Sequence, residues 1–167
     1  MKIYDCLPYC GEDLLLEIRF ETLYQDVDKF VIVEGNKHFN GEKKPQLFDL
    51  QKFEKYKDKI KYYFIEDFPI HTGNNYEYED YQRNQIKRGF DGLNAEDLIL
   101  LSDADEIPNL KNKKFLNYDS AVFLQNMYYY KFNIHWSKGL KWNNKWPGTK
   151  SCRFKYFETV DKIKKFR

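Results

Sequence analysis

The run Leu98-Ile99-Leu100-Leu101-Ser102-Asp103-Ala104-Asp105-Glu106-Ile107-Pro108 decides how this chain is read. Four unbroken apolar residues ahead of a polar turn are the pattern of a strand buried on both faces, as in a parallel sheet. Directly after it come two carboxylates at i and i+2. On an extended backbone they point to one side, and Pro108 stops the segment. Carboxylate oxygens are hard ligands that suit Mg²⁺ or Mn²⁺. A cation held by only one or two of them keeps positions for substrate phosphates and acts on a departing diphosphate as a Lewis acid. The bland alternative is an acidic turn after a strand, since a bare Asp-x-Asp is common by chance.

Working outward, short apolar runs alternate with helical patterns. Residues 3–7 read as a first strand. Residues 12–24 read as a helix, with Leu16, Phe20, Leu23 and Val27 on one face and Glu12 and Asp13 in the first turn. The run Phe30-Val31-Ile32-Val33 is a second buried strand, stopped by Glu34-Gly35-Asn36. Residues 51–57 suggest a short helix and residues 60–65 a strand ending at Glu66-Asp67. Residues 76–90 suggest a helix with Tyr78, Tyr81, Ile86 and Phe90 inward, closing near Gly89 and Gly92. Residues 121–124 form a further strand, which 128–132 extend or follow. This alternation predicts an α/β fold, a mostly parallel sheet with right-handed crossovers and helices on both faces. Ligands of such sheets bind beyond the carboxyl ends of the strands. Glu34, Glu66, Asp67, Asp103 and Asp105 all fall there, and an acidic ligand edge calls for a cation.

Composition narrows the function. The 167 residues suit one domain, expected over 1–160 with a solvated basic tail at 161–167. Lys plus Arg is 28 and Asp plus Glu is 26, a net charge of +2, which excludes a polycation that binds nucleic acid by bulk charge. Aromatic residues reach 19%; core and surface packing explains most of them, and the rest can supply flat faces for sugar rings and bases. Three cysteines, Cys6, Cys10 and Cys152, are too few for a disulfide framework and predict free thiols. No run approaches the ~20 apolar residues of a membrane span, and no secretion signal opens the chain, so a soluble, cytoplasmic protein is expected. Gly35, Gly41, Gly73 and Gly89 stand alone. Without a glycine-rich phosphate loop, an ATPase and a dehydrogenase are disfavoured.

Several motifs in one order carry a resemblance. They are Asp5-Cys6, Glu12-Asp13-Leu14-Leu15-Leu16-Glu17-Ile18-Arg19, Val27-Asp28-Lys29-Phe30-Val31-Ile32-Val33-Glu34 and Gln82-Arg83-Asn84. Then follow Ser102 to Pro108, Tyr128-Tyr129-Tyr130-Lys131-Phe132-Asn133 and Gly148-Thr149-Lys150. Through these the chain resembles glycosyltransferase family 17. The resemblance implies a GT-A-type nucleotide-diphospho-sugar transferase fold, a UDP-sugar donor carrying N-acetylglucosamine, a glycan acceptor and inversion at the anomeric carbon. It implies that Asp103 and Asp105 hold Mn²⁺ or Mg²⁺ and the donor diphosphate, and that Glu34 meets the nucleobase or ribose. It also places Arg83 and Asn84 toward the donor, whereas spacing alone gives Arg83 a surface ion pair with Glu79. The segment from Pro8 to Glu12 would wall the nucleotide, with Tyr9 either stacking on the base or packing in the core.

Lys150 is a point charge for a phosphate or a solvated lysine. Trp136, Trp142 and Trp146, in a polar stretch, are candidates for stacking on an acceptor sugar. An inverting transfer needs a general base. Glu106, Asp119, Glu158 and Asp161 qualify, and spacing does not choose among them. His38, His71 and His135 are scattered and read as structural. Family members continue past the point that matches Arg167, which leaves a C-terminally shortened catalytic domain as one expectation. A non-catalytic nucleotide-sugar or carbohydrate-binding domain is the alternative from another class. A metal-dependent nucleotidyltransferase is a third, lacking the basic phosphate-cradling loop it would need.

Overall fold

Alternate residues of the central strands point to opposite faces, and each face meets its own helical layer. A computed structural model describes residues 1–70, 76–128, 134–136 and 144–164. Strand β1 is Ile3–Pro8, helix α1 Asp13–Leu23, β2 Lys29–Gly35, β3 Ile60–Ile65, α2 Tyr76–Asn84, β4 Leu98–Leu101, β5 Ser120–Gln125, β6 Trp146–Arg153 and α3 Val160–Lys164. On one face Leu7, Phe30, Ile32, Leu98 and Leu100 pack against Leu16, Phe20 and Leu23 of α1. On the other, Cys6, Val31, Val33, Ile99 and Leu101 pack against Ile86, Phe90, Val160 and Ile163. Each large apolar side chain buried this way contributes about 1.5–3 kcal/mol. Phe20 anchors the first layer, with ring centroids 4.6 Å from Phe30, 5.1 Å from Tyr56 and 5.4 Å from Phe53.

The sheet order is β3-β2-β1-β4-β6-β5. The first four strands pair in parallel, whereas β4 with β6 and β6 with β5 are antiparallel. The sheet is therefore mixed, parallel in three of its five pairings and antiparallel at β6. The antiparallel pairings both involve β6. It opens with Trp146, then Pro147 and Gly148, which weaken a strand pattern, and continues through polar Thr149, Lys150 and Ser151, yet it fills the space between β4 and β5.

Other boundaries also differ. Residues 50–56 form two 3₁₀ turns joined by a kink at Phe53, with the Asp49 carboxylate accepting the Gln51 N–H at 2.9 Å. The helix expected over 76–90 is α-helical only to Asn84, then 3₁₀ over Gln85–Gly89. Gly89 lies so close to β2 that a Cβ there would sit 2.3 Å from Val31 Cγ1. Strand β5 ends at Gln125, and 129–133 lie outside the described residues. The basic tail is corrected over its first residues, since α3 buries Val160 and Ile163 in the second core layer. Among the described residues no helix is long and apolar enough to cross a membrane.

Candidate functional site

Strand β4 delivers the chain at Leu101 into loop 102–106, where the buried Arg19 guanidinium meets the loop. Arg19 lies on the Leu16, Phe20 and Leu23 face of α1, so packing that face puts its guanidinium into the core. There it meets Asp5 of β1. Nε donates to Asp5 Oδ2 at 2.6 Å and Nη2 to Oδ1 at 2.7 Å, with neither side chain exposed. Nη1 then reaches the main-chain carbonyls of Asp103 at 3.1 Å and of Ala104 and Glu106 at 3.3 Å, while Nη2 also donates to Ser102 Oγ. Asp5 and Arg19 are the residues that motif reading passed over as site residues. Their signal was a charge placed on an otherwise apolar period, in both the first strand and the first helix.

The loop carries its acids toward an open cleft of about 1070 Å³, lined by Asp103, Asp105 and Glu106 together with Ile18, Leu124 and Trp146. Asp103 Oδ1 accepts from Arg83 Nη2 at 2.9 Å, and Arg83 also pairs with Glu79. Burial disfavours the charged guanidinium, but Asp103 and then Glu79 outweigh it and hold Arg83 firmly protonated. The Glu79 pair expected from spacing is present, with Asp103 as a second partner of the same guanidinium. Asp105 is exposed at the cleft. Glu106 Oε2 accepts the Asp103 N–H at 3.1 Å and Oε1 the Trp146 indole N–H at 2.6 Å. Thr149 Oγ1 donates to the Glu106 carbonyl at 2.6 Å, tying β6 to the loop.

Among the described residues no three His, Cys, Asp or Glu side chains form a metal cage. The donor set offers two carboxylates at one rim of a wide cleft, one of them shared with an arginine. That set fits a hard cation held jointly with substrate phosphates and does not fit one held by protein alone.

Tyr9 resolves to the core: it is buried against Phe48 and donates its hydroxyl to Asp13. Burial, then the Asp13 carboxylate, pushes its phenol pKa up. Glu12 accepts the Cys10 N–H at 2.8 Å across the turn after β1. Glu34 is wholly buried rather than at a ligand surface. Its oxygens accept the Leu47 and Phe48 N–H groups at 2.8 and 3.0 Å and the Tyr62 hydroxyl at 2.8 Å. Asn84 Nδ2 donates to the Asp80 carbonyl at 2.9 Å. Lys150 is buried on β6 beside Leu101, its ammonium 3.2 Å and 3.3 Å from the Pro147 and Gly148 carbonyls, so it is not the solvated lysine of the alternative reading.

Asp119 pairs with Arg153, which lies opposite Leu98, the first residue of β4. It therefore sits at the far end of that strand from Asp103. Glu158 pairs with Lys162 and does not line the cleft. Asp161 falls in α3, its side chain outside the described residues. Asp67 is held by Arg88 at 2.6 and 2.8 Å, and Glu66 is exposed. Trp146 lines the cleft, Trp136 is exposed nearby in sequence, and Trp142 and His71 lie outside the described residues. The structure thus brings Arg83, Asp103, Asp105, Glu106 and Trp146 together.

With this geometry in place, the comparisons decide the family. The model of Glycosyltransferase family 17 matches residues 1–160. The chain belongs to glycosyltransferase family 17. This family-17 chain is 32% identical over 113 residues to a beta-1,4-mannosyl-glycoprotein 4-beta-N-acetylglucosaminyltransferase of Homo sapiens, covering 61% of this chain and 21% of that protein. The proteins of the same name from Rattus norvegicus and Mus musculus are 32% and 31% identical over the same shares. The family-17 chain therefore spans about a fifth of the length of the curated relatives it matches, 21%.

Proposed function

We propose that this chain is the donor-binding core of an inverting, metal-dependent glycosyltransferase of GT-A type that moves N-acetylglucosamine from its UDP-linked form to a glycan hydroxyl. The observation that carries the reading is the pair Asp103 and Asp105 at the carboxyl end of β4, facing an open cleft with Arg83 beside Asp103. In open α/β sheets that is the edge where ligands bind.

Asp103 and Asp105 would hold Mn²⁺ or Mg²⁺, which when bound neutralises charge on the leaving diphosphate. Arg83, hydrogen-bonded to Asp103, would exchange that carboxylate for a phosphate oxygen, both being acceptors that its fork fits. The acceptor hydroxyl oxygen forms the new bond to the anomeric carbon as the carbon–oxygen bond to UDP breaks, and the electron pair leaves with UDP. The hydroxyl proton passes to a general base. Among the acids weighed from the sequence, Glu106 shares the cleft. Trp146 offers an aromatic face at the same rim for a sugar ring. The names of the relatives make a mannose-containing glycoprotein glycan the first acceptor to try.

The test is a UDP-release assay with UDP-N-acetylglucosamine and a panel of mannosyl glycans, with and without Mn²⁺. Release that needs both Mn²⁺ and acceptor, and that is lost in Asp105→Asn, supports the reading. Donor binding without release in any combination favours a non-catalytic nucleotide-sugar-binding domain. Absence of donor binding refutes both.

A further inference from the structure

We propose that the buried Asp5–Arg19 pair positions loop 102–106, and thereby sets how tightly the site holds a divalent cation. The inference rests on the reading of Asp103 and Asp105 as cation ligands. Neither Asp5 nor Arg19 touches the cleft, so both are positioning residues.

Two observations carry it. The first is cost. Both side chains are wholly buried, and taking two charges out of water opposes folding enough that well-packed apolar replacements often do as well or better. Stability alone is therefore a poor reason for this pair. The second is where the donors go. A guanidinium has five N–H donors in a fixed plane. Here Nε and Nη2 engage Asp5, and Nη1 gathers the carbonyls of Asp103, Ala104 and Glu106 around one point. Drawing those carbonyls inward toward α1 fixes the backbone that carries the two aspartates at the cleft. Asp5 neutralises the guanidinium and sets its plane. A lysine at position 19 has a single nitrogen and cannot meet Asp5 in bidentate fashion while reaching three carbonyls.

The test compares wild type with the double variant Asp5→Leu/Arg19→Met and with Arg19→Lys. Mn²⁺ affinity is measured by electron paramagnetic resonance in the presence of UDP, melting temperature by circular dichroism, and amide exchange of residues 103–107 by mass spectrometry. The double variant is expected to melt near wild type and to bind Mn²⁺ about 10- to 100-fold more weakly, the range found when groups that orient metal ligands are removed. Arg19→Lys is expected to weaken binding likewise. Unchanged Mn²⁺ affinity in the folded double variant overturns the proposal, and if that variant fails to fold, unchanged affinity in Arg19→Lys does so.

The wild-type exchange experiment needs no variant. The Asp103, Glu106 and Ile107 amides are hydrogen-bonded within the loop and are expected to exchange slowly. Exchange as fast as in an open loop overturns the clamp. If wild type binds no Mn²⁺, the cation reading fails instead, and faster exchange of 103–107 in Arg19→Lys than in wild type then still upholds the clamp, whereas equal exchange overturns it.

Discussion

Replacing Glu34 by alanine separates two roles for an acid at the end of β2. The structure gives it a loop-holding role: three donors, the Leu47 and Phe48 N–H groups and the Tyr62 hydroxyl, converge on its carboxylate. The Lys44 ammonium lies 3.6 Å away with its side chain 3% exposed. Burial, then the Glu34 carboxylate, pushes the Tyr62 phenol up, as expected for a hydroxyl locked onto an anion. In Glu34→Ala these donors lose their acceptor, at about 1–3 kcal/mol each when left unsatisfied. A buried ammonium also loses its counter-ion, which typically costs about 3–5 kcal/mol. These terms share one site and do not add, and water entering the vacated space offsets part of them. A net loss of about 4 kcal/mol follows, or roughly 12 °C in Tm for a chain of this size. Glu34→Gln, which keeps one acceptor oxygen, should lose about half as much. Urea denaturation followed by circular dichroism measures both. A Glu34→Ala protein within about 1 kcal/mol of wild type that no longer binds UDP would refute the loop-holding account and return Glu34 to the nucleotide.

Three further outcomes test the packing and the titration behaviour. Gly89→Ala places a methyl 2.3 Å from Val31 Cγ1. It should cost about 1–3 kcal/mol by overpacking, read as a lower urea midpoint; an unchanged midpoint would show that the 3₁₀ turn shifts freely. Asp97 accepts the Lys2 and Asn94 N–H groups at 2.6 and 2.7 Å. Burial raises its pKa, but these bonds outweigh it and hold the group below the ordinary 3.8. A depressed folded-state pKa gives stability that is complete above 3.8 and lost as pH falls through the folded value. Asp97→Asn should therefore flatten the acid limb of the stability curve below about pH 4, and an unchanged limb would contradict this.

Cys6 and Cys152 are buried, and desolvation raises both thiols, Cys152 to about 12. Cys10 is exposed, though desolvation raises it too, with Lys44 opposing and Glu12 adding. Iodoacetamide at pH 8 should label Cys10 alone, more slowly than free cysteine, and all three thiols only after denaturation. Labelling of two thiols in the native protein would contradict the packing.

Periodicity made much of this molecule legible. The runs 30–33 and 98–101 announce strands covered on both faces, and the Leu16, Phe20 and Leu23 spacing announces the face of α1. The same period contained the Arg19 signal, because a charge on a buried face must be paired. What escaped depends on partners distant in sequence. Strand β6 holds polar residues that are buried only because β4 and β5 flank them. Glu34 reads as a ligand-edge acid until a loop 13 residues later is seen to wrap its carboxylate in backbone N–H groups. Trp146 and Glu106 meet across 40 residues, which no local spacing announces. The acidic loop after β4 was found because its chemistry and its strand are contiguous in sequence.

The central claim is that Asp103 and Asp105 share a divalent cation with the diphosphate of a nucleotide sugar. Calorimetric titration of UDP-N-acetylglucosamine into wild type and Asp105→Asn, each with and without Mn²⁺, addresses it most directly. The account predicts saturable binding by wild type that strengthens at least tenfold with Mn²⁺, an increment of about 1.4 kcal/mol, and loss of that increment in the variant. Binding that is equally tight without Mn²⁺, or a Mn²⁺ increment that survives in Asp105→Asn, would contradict it.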